Sequence, residues 1–316
     1  MSLKKGAETI VDQCLKIKEN EKVLVLNDSN DQNLIDSLLE VLKSKDIEHQ
    51  LLEYEEPESH GDEPPENVLE KMKEFDVVIA PTNKSLSHTE ARKEACDSGS
   101  RVATLPQVDK QVWNTSIQAD YERVDQITEK VYSMLEQSER VRIETPSGTK
   151  IEFDVDIDTY ILDGGIITEK GGIGNIPAGE TGGFPENISG VLVIDHFPFA
   201  PSGTKVEIED GEVVAIEHPE EAKSSELAEA FEEKPCSRRI AEFGFGTNPE
   251  AELIGNVLQD EKVLGTVHIA FGDNTTYVSD ERSNPCGIHW DTVCESPTVW
   301  FDDRKVLDEG EPMFDL

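Results

Sequence analysis

The apolar residues of this chain change period near residue 140, and that change decides what the chain can fold into. Before it, short apolar runs such as Lys22-Val23-Leu24-Val25-Leu26 and Asp76-Val77-Val78-Ile79-Ala80 alternate with helical stripes such as Leu34, Leu38, Leu39 and Leu42. Runs of that length without polar alternation suit strands covered on both faces, and spacings of three and four suit helices. The pattern predicts strands at 22–26, 47–53, 76–80 and 101–104. It predicts helices over 4–19 and 31–45, one opened by Pro64-Pro65, one over 88–98 ended by Gly99, and a long one over 120–138. A βαβα rhythm implies a parallel sheet with helices on both faces, so residues 1–140 read as a Rossmann-like α/β domain. After residue 140 strands and tight turns dominate. Pro146-Ser147-Gly148, Asp210-Gly211 and Asp302-Asp303 mark hairpins, and one helix is expected over 219–233. The fold class is therefore α/β plus α+β, with residues 141–316 forming a strand-rich second domain.

Asp and Glu number 67 against 29 Lys and Arg, a net charge of −38. The acids are spread along the chain, and apolar runs at 22–27, 76–80, 189–194 and 266–271 argue for a folded protein rather than a disordered one. An acidic surface of this kind is found in salt-loving archaea, where salt screens its self-repulsion. Nucleic acid and anionic membranes would be repelled and are not expected as partners. No signal-type segment and no apolar run near 18 residues is visible, so a cytoplasmic protein is expected. The five cysteines form no Cys-x-x-Cys and read as reduced thiols.

Two glycine motifs are weighed and set aside. Gly171-Gly172-Ile173-Gly174 is followed by Pro177 and more glycine rather than by a helix, so it does not cradle a phosphate. The first strand-to-helix turn, Asn27-Asp28-Ser29-Asn30-Asp31, is acidic and would repel the pyrophosphate of a nicotinamide cofactor. The glycine-dense segment 163–190 fits better as backbone passing close to a metal, with Glu180 near its end. Glu242 lies in the apolar run Ile240-Ala241-Glu242-Phe243, where alternation puts it on the face of Ile240, pointing inward. A buried, unpaired carboxylate costs several kcal/mol, which a metal would remove. His268 sits in a second such run, and His289 and Asp291, spaced i, i+2, share one face of a strand. Five such donors suit zinc, iron, manganese or cobalt. His196, after the strand 191–194, is a candidate to line the site.

The runs Ala241-Glu242-Phe243-Gly244-Phe245-Gly246-Thr247-Asn248-Pro249, Asp260-Glu261-Lys262, Gly265-Thr266-Val267-His268-Ile269-Ala270-Phe271-Gly272 and Gly287-Ile288-His289-Trp290-Asp291 resemble the thermophilic-type metalloaminopeptidases, the family of aminopeptidases T and S. Ile176-Pro177-Ala178-Gly179-Glu180 resembles that family's Pro-Gly-Gly-Glu motif, and Ser87-His88-Thr89-Glu90-Ala91-Arg92 extends the likeness more loosely. The resemblance implies Glu180, Glu242, His268, His289 and Asp291 as metal ligands, a glutamate such as Glu180 as general base, and Tyr277 as an oxyanion-stabilising phenol. It implies a homodimer that releases N-terminal residues from short peptides with a free amino terminus. Two divalent ions, Zn, Co or Mn, would share a water, one polarising the carbonyl and the other holding the amine. The same fold and His-x-Asp motif occur in 2,5-dihydroxypyridine ring-cleaving dioxygenases. In that alternative His268, His289 and Asp291 hold a single iron. A non-catalytic metal-binding relative is the third possibility.

Overall fold

The computed structural model describes residues 3–87 and 89–316, without the side chains of 221–225. His88, part of the looser motif, lies outside the described residues. The chain forms two compact units, residues 1–125, 163–178 and 249–252 in one and 126–162, 179–248 and 253–316 in the other. This differs from a single boundary near residue 140, because the chain crosses between the units several times.

The first unit is built on a five-stranded sheet in the order Glu48–Glu53, Lys22–Asn27, Val77–Ala80, Arg101–Thr104, Ile173–Asn175, with every neighbouring pair parallel. Leu24, Leu26, Val78, Ala80 and Val102 bury one face against Val68, Met72, Ala91 and Ala95. The helix Glu90–Ser98 starts where Thr89 accepts the Arg92 N–H, and it ends at Gly99, whose φ of 103° no β-carbon residue adopts easily. Two expectations are corrected here. The first helix is α-helical only over Leu3–Thr9 and widens into a π-turn at Ile10–Cys14. The glycine segment is not all loop either, since Ile173-Gly174-Asn175 adds the fifth parallel strand beside Arg101–Thr104.

The second unit holds an eight-stranded and a five-stranded sheet whose named pairings are antiparallel. The expected hairpins form, with Asp210 and Asp302 in the left-handed region at φ 51°. Both sheets share one core. Ile143, Phe153, Val206 and Phe301 from the larger meet Phe243, Phe245, Ile269 and Phe271 from the smaller, and Phe153 lies 4.8 Å from Phe243 between ring centroids. The reduced-thiol expectation is corrected by a Cys236–Cys286 disulfide, which joins residues 50 apart in sequence. Cys14, Cys96 and Cys294 are free. Among the described residues no helix is long and apolar enough to cross a membrane.

Candidate metal centre

The site is one face of the five-stranded sheet, whose order is His289–Cys294, Val267–Gly272, Ile240–Gly246, Glu180–Gly183, Ile161–Asp163. Directly paired residues of antiparallel strands point to the same side. Glu242 pairs with Ala270, and Ala270 with Asp291. Gly244 pairs with His268, Glu180 with Gly246, and His289 with Gly272. All five donors therefore stand on one face, and each is set against glycine or alanine, which leaves room for the longer side chain. The other face carries Phe243, Phe245, Ile269 and Phe271 into the core. The alternation argument for Glu242 is corrected in its detail. A bulge between Ile240 and Glu242 breaks the period, so Ile240 pairs with Phe271 on the core side while Glu242 faces the site.

The donors converge closely. Glu242 reaches both histidines, Oε1 lying 3.4 Å from His268 Nε2 and Oε2 2.9 Å from His289 Nε2. His289 Nε2 is also 3.2 Å from Asp291 Oδ1. Its Nδ1 lies 2.8 Å from the Asp273 carbonyl, which accepts that N–H and fixes the ring so that Nε2 faces the carboxylates. Glu180 Oε2 is buried, has no hydrogen-bond partner, and lies 3.6 Å from His268 Nε2. Among the described residues, three groups each bring one ligand atom per residue within 4.8 Å of one another: Glu180, Glu242 and His268; Glu242, His289 and Asp291; Glu261, His268 and Asp291. Imidazole nitrogen and carboxylate oxygen around a partnerless buried oxygen fit a divalent metal ion.

Charge coupling is strong throughout. Burial works against the charge of Glu242, but hydrogen bonds from His268 and His289 outweigh it and hold that carboxyl well below its ordinary range. Burial would lower His268, yet the hydrogen bond and charge of Glu242, with Glu180 and Glu261, raise it to about 9. Glu261 is pushed up to about 8, chiefly by burial. Burial and the surrounding carboxylates raise Tyr277, so its phenol keeps its proton. A pH dependence follows for the metal-free protein. The folded-state contribution of His268 is whole below about pH 6.5 and is lost as pH rises through 9. Glu261 acts in the same direction up to pH 8, because ionising it is harder in the folded state. The metal-free melting temperature is expected to fall between pH 6.5 and 9. Bound metal takes the place of those protons, so the loaded protein should show a smaller fall. Thermal melts with and without chelator across that range measure this, and a metal-free melting temperature flat from pH 6.5 to 9 contradicts it.

Tyr277 lies beside the face, its ring centroid 6.5 Å from that of His289. His196 is not drawn in, since its Nε2 pairs with Glu295 at 3.2 Å. Glu261 and Lys262 were missed as site residues. Their signal was two adjacent charges in a run that the fold buries, with Lys262 Nζ 2.5 Å from Glu180 Oε1 and 2.7 Å from Glu261 Oε1.

The family model for 2,5-dihydroxypyridine 5,6-dioxygenase (NicX) matches residues 7–313. Among solved structures, the chain is similar to 2,5-dihydroxypyridine dioxygenase from Pseudomonas putida KT2440, with a TM-score of 0.81 and 17% identity over 99% of this chain and 97% of that one. It is also similar to AmpT from Thermus thermophilus, with a TM-score of 0.70 and 16% identity over 99% of each chain. At these identities the two structures speak for the fold. No curated protein matches the sequence.

Proposed function

The chain belongs to the 2,5-dihydroxypyridine 5,6-dioxygenase family, and from that membership we propose that it is a metal-dependent dioxygenase opening the ring of a hydroxylated nitrogen heteroaromatic. The match across residues 7–313 carries the reading. The motif resemblance to the metalloaminopeptidases is thereby corrected in part, because the AmpT likeness supports the fold while the family is the dioxygenase one. Ring opening balances without another reductant. One ring bond breaks, both atoms of dioxygen stay in the product, and the substrate supplies the electrons.

His268, His289 and Asp291 stand on one face of the sheet, two histidines and one carboxylate, with Asp291 sharing one donor group with His289 and another with His268. Iron(II) held there would supply the one-electron chemistry that dioxygen requires, with positions left open. Glu242 turns one oxygen toward each Nε2 and would lie beside an ion held there, while the Asp273 carbonyl at Nδ1 orients the His289 ring. Glu180, with Oε2 free of hydrogen bonds, is the group placed to take the proton of a ring hydroxyl. Tyr277, kept protonated, donates a hydrogen bond to charge developing on the substrate.

A second reading, metal-dependent aminopeptidase, is favoured by the surplus of carboxylates, since Glu180, Glu242 and Glu261 each enter a donor group. An oxygen electrode distinguishes the two. With iron(II) and 2,5-dihydroxypyridine, dioxygen consumption matching substrate loss is expected. No oxygen uptake with any dihydroxylated heteroaromatic, together with amino-acid release from open but not N-acetylated peptides, moves the protein to the aminopeptidase reading.

A further inference from the structure

A parallel sheet opens a crevice at the carboxyl ends of its strands where the strand order reverses. Here the reversal falls at Lys22–Asn27, which has Glu48–Glu53 on one side and Val77–Ala80 on the other. The loops that leave these strands and Arg101–Thr104 enclose a cavity of about 600 Å³, within the roughly 300–1,000 Å³ of small-molecule sites. Its lining residues all belong to the first unit, whereas the metal donors belong to the second. Side chains tie the walls together. Asp28 is 0% exposed and accepts the Asn83 N–H at 2.6 Å and the Lys84 N–H at 2.9 Å. Glu56 Oε2 accepts from the Ser29 hydroxyl at 2.7 Å and from the Asn83 amide at 3.1 Å. Asp31 and Asp109 cap helices, accepting the N–H groups of Asn33 and of Gln111 and Val112, and Asp31 also pairs with Lys110 at 2.8 Å.

We infer that this crevice binds a free α-amino acid, with its carboxylate on Asn30 Nδ2 and Lys84 Nζ and its ammonium on Glu56 Oε1. Asn30 Oδ1 accepts the Asp31 N–H at 2.6 Å, which fixes the amide with Nδ2 as its other end. Among the described residues that buried Nδ2 has no hydrogen-bond partner, and a buried donor left so is costly. Lys84 Nζ, on a side chain 24% exposed, lies 3.7 Å from Glu56 Oε1, beyond hydrogen-bond length. Two donors thus call for acceptor oxygens, and the Glu56 oxygen beside them calls for a donor. Charge narrows the ligand further. Lys84 and Lys110 stand against Asp31, Glu56 and Asp109, so a polyanion would meet the acids and a simple cation would leave the donors unpaired. A zwitterion adds no net charge and carries its two charged groups on one carbon, which suits a lysine and a glutamate set side by side. Among the described residues that line the cavity there is no aromatic ring, so a sugar or nucleobase finds no face to stack on. The inference is independent of the reaction that the metal serves.

Calorimetric titration of the full, metal-loaded chain tests this. The probes are glycine, L-alanine and L-glutamine, with N-acetyl-L-alanine and L-alaninamide, each of which lacks one of the two charges. The amino acids should bind once per chain, and each blocked analogue about tenfold or more weakly, as a lost charge-assisted hydrogen bond requires. Lys84→Gln, Glu56→Gln and Asn30→Ala should each weaken L-alanine binding by about tenfold or more. Thermal melts check folding, and Glu56→Gln, which keeps the side-chain shape, decides if another variant does not fold. An amino acid can also chelate a metal ion, so the titration is repeated on Asp291→Ala protein stripped with chelator. Binding should persist there, and its loss would move the ligand to the metal centre and overturn the inference. No binding of any α-amino acid, equal binding of open and blocked forms, or L-alanine affinity unchanged in the folded Lys84 and Glu56 variants would overturn it as well. Inorganic phosphate or D-glucose bound in place of amino acids, and lost in the same variants, would overturn the ligand class.

Discussion

His289→Ala and Asp291→Ala are each expected to abolish turnover, by more than about a hundredfold, and to empty the metal centre while the fold persists. The magnitude follows from position, since even partners that only orient metal ligands change affinity or activity by about 10–100-fold. His289 Nε2 meets both Glu242 and Asp291, so its loss removes a neutral donor and unties two carboxylates at once. The fold should survive because both side chains stand on the face opposite the phenylalanine core, next to Gly272 and Ala270. In the metal-free state, Asp291→Ala relieves repulsion between Asp291 and Glu261 but also removes the attraction of His289, which holds the Asp291 carboxyl below its ordinary range. Its chelator-treated melting temperature should therefore be unchanged or somewhat lower than wild type. Elemental analysis, oxygen uptake and thermal melts on the same preparations separate lost metal from lost fold. Near-normal activity with normal metal content in either variant would remove these residues from the centre.

Much of the fold and part of the site could be read from residue order. The parallel sheet was legible because strands 22–27, 77–80 and 101–104 are continuous apolar runs with helical stripes between them. The strand Ile173–Asn175 was not, because it is three residues long, contains glycine, and joins a sheet whose other strands end at residue 104. His289 and Asp291 share a face through plain i, i+2 spacing. Glu242 reaches that face only through a bulge, so the inward orientation read from Ile240 came from a period that the strand does not keep. Lys262 was illegible for another reason. A lysine among many charges is ordinarily exposed, and only the three-dimensional path that sets it between Glu180 and Glu261 makes it a buried partner. Family assignment failed at a finer level. The motif runs lie on a fold that the chain shares with both solved structures, and a shared fold does not separate one chemistry from another.

Two glycines give the second large effect, and it tests how tightly the face is packed. A β-carbon on Gly244 would lie 2.0 Å from His268 Cε1 and 2.2 Å from its Nε2, and one on Gly182 would lie 2.2 Å from Glu242 Oε1. Gly182 and Gly244 pair across neighbouring strands, so together they form the floor under the two donors. Neither has a left-handed φ, so alanine meets no backbone penalty at either position, and in a strand it is favoured over glycine by about 0.5–1 kcal/mol. The clash therefore falls on the donors alone. His268 is 1% exposed and held between Glu180 and Glu242, so it cannot move aside without leaving the geometry it shares with His289. Gly244→Ala is expected to cut metal affinity by about 10–100-fold or more, with turnover falling in parallel, and Gly182→Ala should do the same through Glu242. Gly203→Ala supplies the opposite case. Its φ of +89° makes alanine strained, but nothing lies within 4 Å of the new β-carbon, so it should lose about 1 kcal/mol of stability with metal content intact. Metal titration and chemical denaturation of the three variants decide the matter. If Gly244→Ala retains full metal content and turnover, His268 is not held where the sheet places it, and the one-face arrangement of donors fails with it.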